Sequence, residues 1–217
     1  MKTTKENISA KAEGLLAKLG PNTLRGELRK LAKEIKLDHE LAMELWSSGE
    51  LNARMLAILI MDKKQLDAKE VDRLITDMSE HPYDERISLM DWLYANQLSK
   101  NKKLLTLIDS WEHSDLALQR RTYWYYQARQ RWTGQTPPDN TAELLDKIEA
   151  GMADEVPEVQ FTMNLTAGWI GIYDEQYRER CIDLGERLGL YKGEMVSKGC
   201  TPSYLPEFIA IEVGKRS

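Results

Sequence analysis

The chain has 217 residues, 42% of them hydrophobic and 30% charged, a balance typical of a globular protein rather than a disordered one. Its net charge of −5 argues against indiscriminate nucleic-acid binding, which depends on Lys and Arg releasing phosphate counterions. No apolar run reaches the roughly 20 residues of a membrane helix, and the amino terminus lacks a signal-peptide pattern, so we expect a cytoplasmic protein. Two cysteines and three scattered histidines lack metal-ligand spacing and predict no metal site.

Helical periodicity runs along most of the chain. Residues 11–19 predict an amphipathic helix that stops at Gly20-Pro21, and the next helix carries an apolar stripe from Leu24 to Ile35. Further helices are predicted at 39–46, 50–61, 67–78, 84–97, 103–111, 116–132, 141–152, 156–172 and 175–188. The paired prolines of residues 133–140 predict a rigid surface loop, and residues from about 190 to 217 predict an irregular tail.

These elements predict an all-α fold, because no run of alternating β-branched residues is bounded by hairpin turns. Helices of about 10 to 17 residues with short connections favour a solenoid-like stack of antiparallel helix pairs, as in HEAT-like repeats, over a four-helix bundle. We expect residues 1–217 to form a single helical-repeat domain.

One stretch, residues 118–132, is basic and aromatic in an otherwise acidic chain, and no acidic residue lies between Leu116 and Pro138. On a helix, Arg120, Trp124 and Arg131 fall within about 40° of one another, which would place guanidinium and indole groups on one face. Such groups hold phosphates and stack on bases. The alternative is a buried helix whose arginines pair with neighbouring carboxylates.

A family pattern appears at residues 28–61, where L-R-K-L-A-K-E-I-K, D-H, L-W, S-G and A-R-M-L-A follow one another in order. This segment resembles the amino-terminal signature of the DNA alkylation repair family, the HEAT-like alkylpurine glycosylases. Residues 159–173, 177–189 and 198–202 resemble one branch of the same family. The resemblance implies a curved stack of helix pairs that binds alkylated duplex DNA on a basic face. It also implies hydrolysis of the N-glycosidic bond of N3- or N7-alkylated purines, with no metal or organic cofactor.

The resemblance also implies site residues, since the family site uses two tryptophans, an aspartate four residues after the first, and an arginine on a later helix. Arg120 matches the arginine within L-Q-R, and Arg121 matches it if the register shifts. The aspartate position falls on Glu85, with His81 in the first tryptophan position, or on Asp84, with Glu80 in that position.

The second tryptophan position falls on Leu165, and Trp169 follows one turn later. The aromatic clamp of the family is therefore not matched.

Each candidate also has a structural interpretation. The two acids, Asp84 and Glu85, can form an acidic first turn that complements the helix dipole, and His81 can be a turn residue rather than a ring that stacks on DNA. With Arg120, we expect Arg121, Trp124 and Arg131 to contact DNA.

Two functions remain open at this point. The first is an alkylpurine DNA glycosylase, and the second is a noncatalytic helical-repeat module that binds DNA structure or a protein partner.

Overall fold

The computed structural model describes residues 8–132 and 136–216. Within these residues there are 12 α-helices and no strand, so the prediction of an all-α fold is confirmed. The chain divides into two compact units, an amino-terminal unit that ends at Leu107 and a carboxyl-terminal unit that begins at Ile108. The expectation that both units belong to a single domain stays a prediction.

The amino-terminal unit is built around one apolar helix. Helix α4 packs against α2, α3 and α6, and seven of its ten residues are buried. Its sequence is apolar on nearly every side, which is typical of a helix buried in a core. The helices of this unit are α1 (Ala10–Leu16), α2 (Arg25–Ile35), α3 (His39–Ser47), α4 (Leu51–Ile60), α5 (Ala68–Ser79) and α6 (Tyr83–Asn96), followed by α7 (Lys102–Ile108), which ends as the second unit begins.

Local capping residues start several of these helices. The Asp38 carboxylate accepts a hydrogen bond from the Leu41 N–H, and the Asp67 carboxylate accepts one from the Glu70 N–H. Each bond satisfies a backbone N–H that the first turn of a helix leaves without a partner. These caps explain why the helix starts could be predicted to within a residue or two.

In the carboxyl-terminal unit, α8 and α10 form the central pair. The Thr166 hydroxyl donates to the backbone carbonyl of Trp124 at 2.7 Å, and α9, α11 and α12 pack against α10. The helices of this unit are α8 (Ala117–Trp132), α9 (Thr141–Gly151), α10 (Pro157–Tyr173), α11 (Glu175–Leu188) and α12 (Leu205–Gly214).

The tail differs from the expected irregular segment, because it contains α12. This helix approaches two small residues closely. A Cβ atom on Gly168 would lie 2.5 Å from a ring carbon of Phe208, and one on Gly185 would lie 2.6 Å from the Leu205 Cβ. The glycines therefore let α12 dock on α10 and α11, and this docking stabilises a helix that its own sequence pattern does not predict.

The predicted loop at 133–140 is described only in part. Residues 133–135 lie outside the described residues, and residues 136–140 are non-helical and largely exposed. None of the helices in the described part of the chain is long and apolar enough to cross a membrane.

Candidate nucleic-acid interface

Helix α8 turns most of its predicted site residues into the interior of the carboxyl-terminal unit. Trp124 is 4% exposed, and Arg121 and Arg131 are each 5% exposed. The Trp124 ring packs edge-on against Tyr123, with ring centroids 5.2 Å apart. Trp124 and Arg131 therefore do not share an exposed face with Arg120, and the surface expected from their helical spacing is absent.

Arg131 ties the end of α8 to the start of α9. Its guanidinium donates to the Gln127 carbonyl at 2.9 Å, to Asn140 Oδ1 at 2.9 Å and to Thr141 Oγ1 at 3.3 Å. Burial lowers the pKa of Arg131, while the charge of nearby Asp174 opposes that shift. These bonds occupy the guanidinium in holding two helices together.

Arg120 is paired with a carboxylate that lies 35 residues further along the chain. Its Nε and Nη2 donate to the two carboxylate oxygens of Glu155 at 2.8 and 2.9 Å, and its Nη1 donates to the Ser114 carbonyl at 2.7 Å. The hydrogen bond to Glu155 raises the pKa of Arg120. This fork geometry is typical of a structural ion pair. Arg120 therefore fits the alternative interpretation, in which an arginine of α8 pairs with a neighbouring carboxylate.

The opposite face of α8 carries the aromatic rings that remain partly exposed. Tyr125 and Trp132 meet edge-on with centroids 5.5 Å apart, and Trp132 lies 5.3 Å from Trp169 of α10. The Trp169 ring in turn stacks on Tyr173, with centroids 5.8 Å apart and planes inclined by 22°. We call these four residues, Tyr125, Trp132, Trp169 and Tyr173, the aromatic row.

Two arginines lie over this row. The Arg129 guanidinium is 5.6 Å from the Trp132 ring centre, and the Arg216 guanidinium is 5.4 Å from that of Trp169 and 5.3 Å from that of Tyr173. Arg216 is exposed. Its hydrogen bonds raise its pKa, and the bond to Glu212 has a larger effect than the bond to the Tyr173 hydroxyl. The aromatic row together with Arg129 and Arg216 forms what we call the cationic-aromatic surface.

This surface carries two kinds of side chain that bind nucleic acids, aromatic rings and arginines. Aromatic rings offer planes on which bases stack regardless of sequence, and arginines beside them can contact phosphates. The sequence contained a signal for part of it, because Tyr125, Arg129 and Trp132 are spaced i, i+4, i+7 and therefore lie on one side of α8. Trp169 and Tyr173 are likewise spaced i, i+4 on α10, whereas the contribution of Arg216 carried no such signal.

In the amino-terminal unit, the structure brings together one of the two residue pairs that match the first tryptophan position and the aspartate position of the family. His81 Nδ1 lies 2.8 Å from Glu85 Oε2, across the first turn of α6. The His81 side chain is 8% exposed, whereas that of Glu85 is 38% exposed. In the other register, Glu80 and Asp84 are both exposed. The small exposure of His81 leaves its ring little surface for stacking.

Leu165, at the second tryptophan position, is half-buried on α10, and Trp169 one turn later belongs to the aromatic row.

The amino-terminal unit also carries a pair of exposed arginines on α2. The guanidinium groups of Arg25 and Arg29 lie 5.4 and 4.5 Å from the centre of the Trp92 ring, and Arg25 donates to Ser88 Oγ at 3.5 Å. In the described part of the chain, no carboxylate pairs with either arginine. Stacking on Trp92 holds both cations at the surface, where their N–H groups remain available to phosphate oxygens.

No group of three or more His, Cys, Asp or Glu side chains capable of holding a metal ion is present among the described residues.

Consecutive helices that pack against each other, as α3 packs on α4 and α10 on α11, are typical of a helical-repeat protein. The chain belongs to the DNA alkylation repair enzyme family, whose model matches residues 22–183. A solved structure that it resembles is described as a member of a new family of proteins related to the HEAT-like repeat DNA glycosylases, with affinity for branched DNA structures. The two share 19% sequence identity, with a TM-score of 0.66 over 96% of this chain and 89% of the other.

This likeness confirms the predicted HEAT-like repeat fold. A search of curated proteins found no match to the chain.

Proposed function

We propose that this protein binds DNA and prefers branched DNA to linear duplex. The observation that carries the proposal is the cationic-aromatic surface, where four rings in contact lie beside Arg129 and Arg216. Partly exposed rings beside arginines suit a partner with both apolar planes and negative charge, and DNA bases and phosphates supply both.

The preference for branches follows from what stacking requires. In a continuous duplex, the faces of the bases are covered by their neighbours, so exposed protein rings can reach them only at ends or distortions. A branch point offers unstacked bases and converging phosphates together. The structural relative described as having affinity for branched DNA supports the same choice.

The charge of the protein limits where phosphates can bind. With a net charge of −5, most of the surface repels DNA, and attraction depends on local groups of cations. Arg129 and Arg216 provide one such group, in which an ion pair of 2.7 Å with Glu212 offsets part of the Arg216 charge, and Arg25 and Arg29, stacked on Trp92, provide another. Neutralising a few phosphates in this way gives a moderate dependence of affinity on salt, since each contact contributes about −0.9 to the slope of log K against log salt on duplex DNA.

The test is a comparison of affinities by fluorescence anisotropy, using a three-way junction and a linear duplex of the same length and composition. We expect tighter binding to the junction at every salt concentration, with a slope that corresponds to a few phosphate contacts. Equal affinity for the two DNAs would contradict the branch preference. Absence of binding to either, at salt near 50 mM, would contradict the proposal as a whole.

A second function, hydrolysis of the N-glycosidic bond of alkylated purines in duplex DNA, is favoured by the contact between His81 and Glu85. An N3- or N7-alkylated purine is a cationic leaving group, so the enzyme needs only to stabilise the developing positive charge on the sugar and to position a water. A carboxylate held by a neighbouring side chain can do both. We assign that role to Glu85, which His81 orients, rather than to the exposed Asp84.

This function predicts release of 3- or 7-methylpurine from methylated duplex DNA. The Glu85→Gln variant should lose the activity, because the amide cannot supply the negative charge, and the matched Asp84→Asn variant should retain it. No release across a broad set of alkylated bases would contradict the function. Loss with Asp84→Asn but not with Glu85→Gln would instead assign the role to Asp84.

A further inference from the structure

A cavity of about 250 Å³ adjoins the cationic-aromatic surface within the carboxyl-terminal unit. Two of its walls are Trp169 and Tyr173, the stacked pair at one end of the aromatic row. Pro137 and Ile170 complete the apolar part of the lining. A base that leaves the stack on the aromatic row would therefore find this cavity next to it.

The size and walls of the cavity define the class of ligand. Clefts that hold drug-sized molecules span about 300–1,000 Å³, so this cavity suits a smaller group, such as a single planar ring system. Walls made of stacked aromatic and aliphatic side chains bind such a ring through its faces. A nucleobase has the matching shape, and DNA would deliver one to this position.

The polar part of the lining determines which edge of a base can be recognised. The Arg131 guanidinium donates a hydrogen bond to Thr141 Oγ1 at 3.3 Å, so these two groups satisfy each other. Asp174 differs, because its carboxylate receives only a long hydrogen bond of 3.5 Å from Gln176 within the described part of the chain. The Asp174 charge also acts on the nearby Arg131 guanidinium, but no hydrogen bond joins the two among the described residues. Asp174 thus keeps acceptor capacity, and N–H donors on a ligand can satisfy it.

Among the four bases, guanine presents the best match to a carboxylate. Its Watson–Crick edge carries the ring N1–H and the exocyclic amino group side by side, so the two oxygens of one carboxylate can accept both hydrogens at once. Adenine and cytosine offer an amino group beside a ring nitrogen that is itself an acceptor, and thymine offers a single N–H between two carbonyl oxygens. Each of these edges would place a lone pair against the Asp174 carboxylate.

We propose that this cavity is a subsite for an unpaired guanine displaced from DNA at a branch point. The proposal rests on the DNA binding proposed above, and it adds base selectivity to it. Taking a base out of the stack costs least where that base has no pairing partner. Stacking on Trp169 and Tyr173 and the two bonds to Asp174 offset that cost for guanine in particular.

The experiment uses the full chain and a set of three-way junctions that differ only in one unpaired nucleotide at the branch. That nucleotide is dG, deoxyinosine, dA, dC or dT. Deoxyinosine is the matched ligand control, because it keeps the N1–H of guanine and lacks only the exocyclic amino group. We expect the dG junction to bind about tenfold more tightly than the deoxyinosine junction, since a bidentate contact to a base edge discriminates by about 1–3 kcal/mol, or roughly 5- to 150-fold.

The Asp174→Asn variant tests the assigned acceptor. Asparagine has the same size and is an equally good helix start, and the Asp174 side chain makes no capping bond to α11, so the fold should be unchanged. We expect this variant to lose the dG preference, because the asparagine amide replaces one of the two acceptors with a donor, whereas Asp183→Asn, an exposed aspartate on the same helix, keeps the dG preference.

Equal affinity of the wild-type protein for all five junctions would overturn the subsite and leave the proposed branch binding intact. A dG preference that persists in Asp174→Asn would also overturn it. If no junction binds, the proposed DNA binding fails, and the subsite fails with it.

Discussion

Replacement of Trp132 with alanine tests the aromatic row at its centre. The Trp132 ring contacts Tyr125 at 5.5 Å and Trp169 at 5.3 Å and lies under Arg129 at 5.6 Å. Loss of one stacked base costs about 1–3 kcal/mol of binding free energy, which corresponds to roughly a 5- to 150-fold weaker Kd for junction DNA. Removal of the ring should also lower the free energy of unfolding, by about 1–4 kcal/mol, because two ring pairs and one cation–π contact are lost.

The two effects are separated by measuring both in the same samples. Anisotropy titrations with junction DNA are done well below the unfolding temperature of the variant, and the free energy of unfolding is taken from urea titrations. Phe161→Ala is the matched control, because Phe161 is 38% exposed in the same unit and meets Tyr191 edge-on at 6.0 Å, away from the aromatic row. Wild-type affinity in Trp132→Ala, or an equal loss of affinity in Phe161→Ala, would refute the role of the row.

Three further predictions concern ionisable groups. Arg120→Ala should lower the free energy of unfolding in urea by about 1–3 kcal/mol, because the partly buried ion pair with Glu155 is lost, and it should leave the salt slope of DNA binding unchanged; a slope reduced by about one contact would place Arg120 at the DNA. Hydrogen bonds from Lys215 and Arg216 lower the pKa of Glu212 from its ordinary 4.5 to about 2, so this group stabilises the folded state fully above pH 4.5, and that stabilisation disappears as the pH falls toward 2. Glu212→Gln should therefore be less stable than wild type at pH 6 and approach it near pH 2 in thermal unfolding, and a stability difference that does not vary with pH would contradict the assignment. Burial raises the pKa of the Cys181 thiol to about 12, so a thiol reagent at pH 8 should modify exposed Cys200 in the native protein and both cysteines only in denaturant; rapid modification of both native thiols would contradict the burial.

Most helices were predictable because their signals are local. Apolar spacing along α2 and the caps at Asp38 and Asp67 lie within a few residues of the turns that they specify, and the largely apolar α4 predicts its own burial. Helix α12 was missed for the opposite reason. Its sequence, L-P-E-F-I-A-I-E-V-G, has little amphipathic pattern, and it is stabilised by docking against Gly168 and Gly185, which are 20 or more residues away in sequence.

The interface was less predictable than the fold, because periodicity defines the faces of a helix but not which face is buried. Spacing correctly places Arg120 and Trp124 on one side of α8, yet the packing of α10 buries Trp124. Glu155, the partner of Arg120, lies 35 residues away, and Arg216 lies 43 residues from the Tyr173 hydroxyl to which it donates. Such pairings depend on tertiary contacts, which no local pattern in a single sequence specifies.

Photo-crosslinking identifies directly which aromatic residues stack on DNA. A three-way junction carrying 5-iododeoxyuridine at its branch is irradiated with the wild-type protein, and the crosslinked residues are located by peptide mass spectrometry. Stacking of DNA on the aromatic row predicts crosslinks at Tyr125, Trp132, Trp169 or Tyr173, competed away by unlabelled junction and only weakly by linear duplex. Efficient crosslinks confined to aromatic residues outside the row, or junction binding that yields no crosslink to the row, would contradict it.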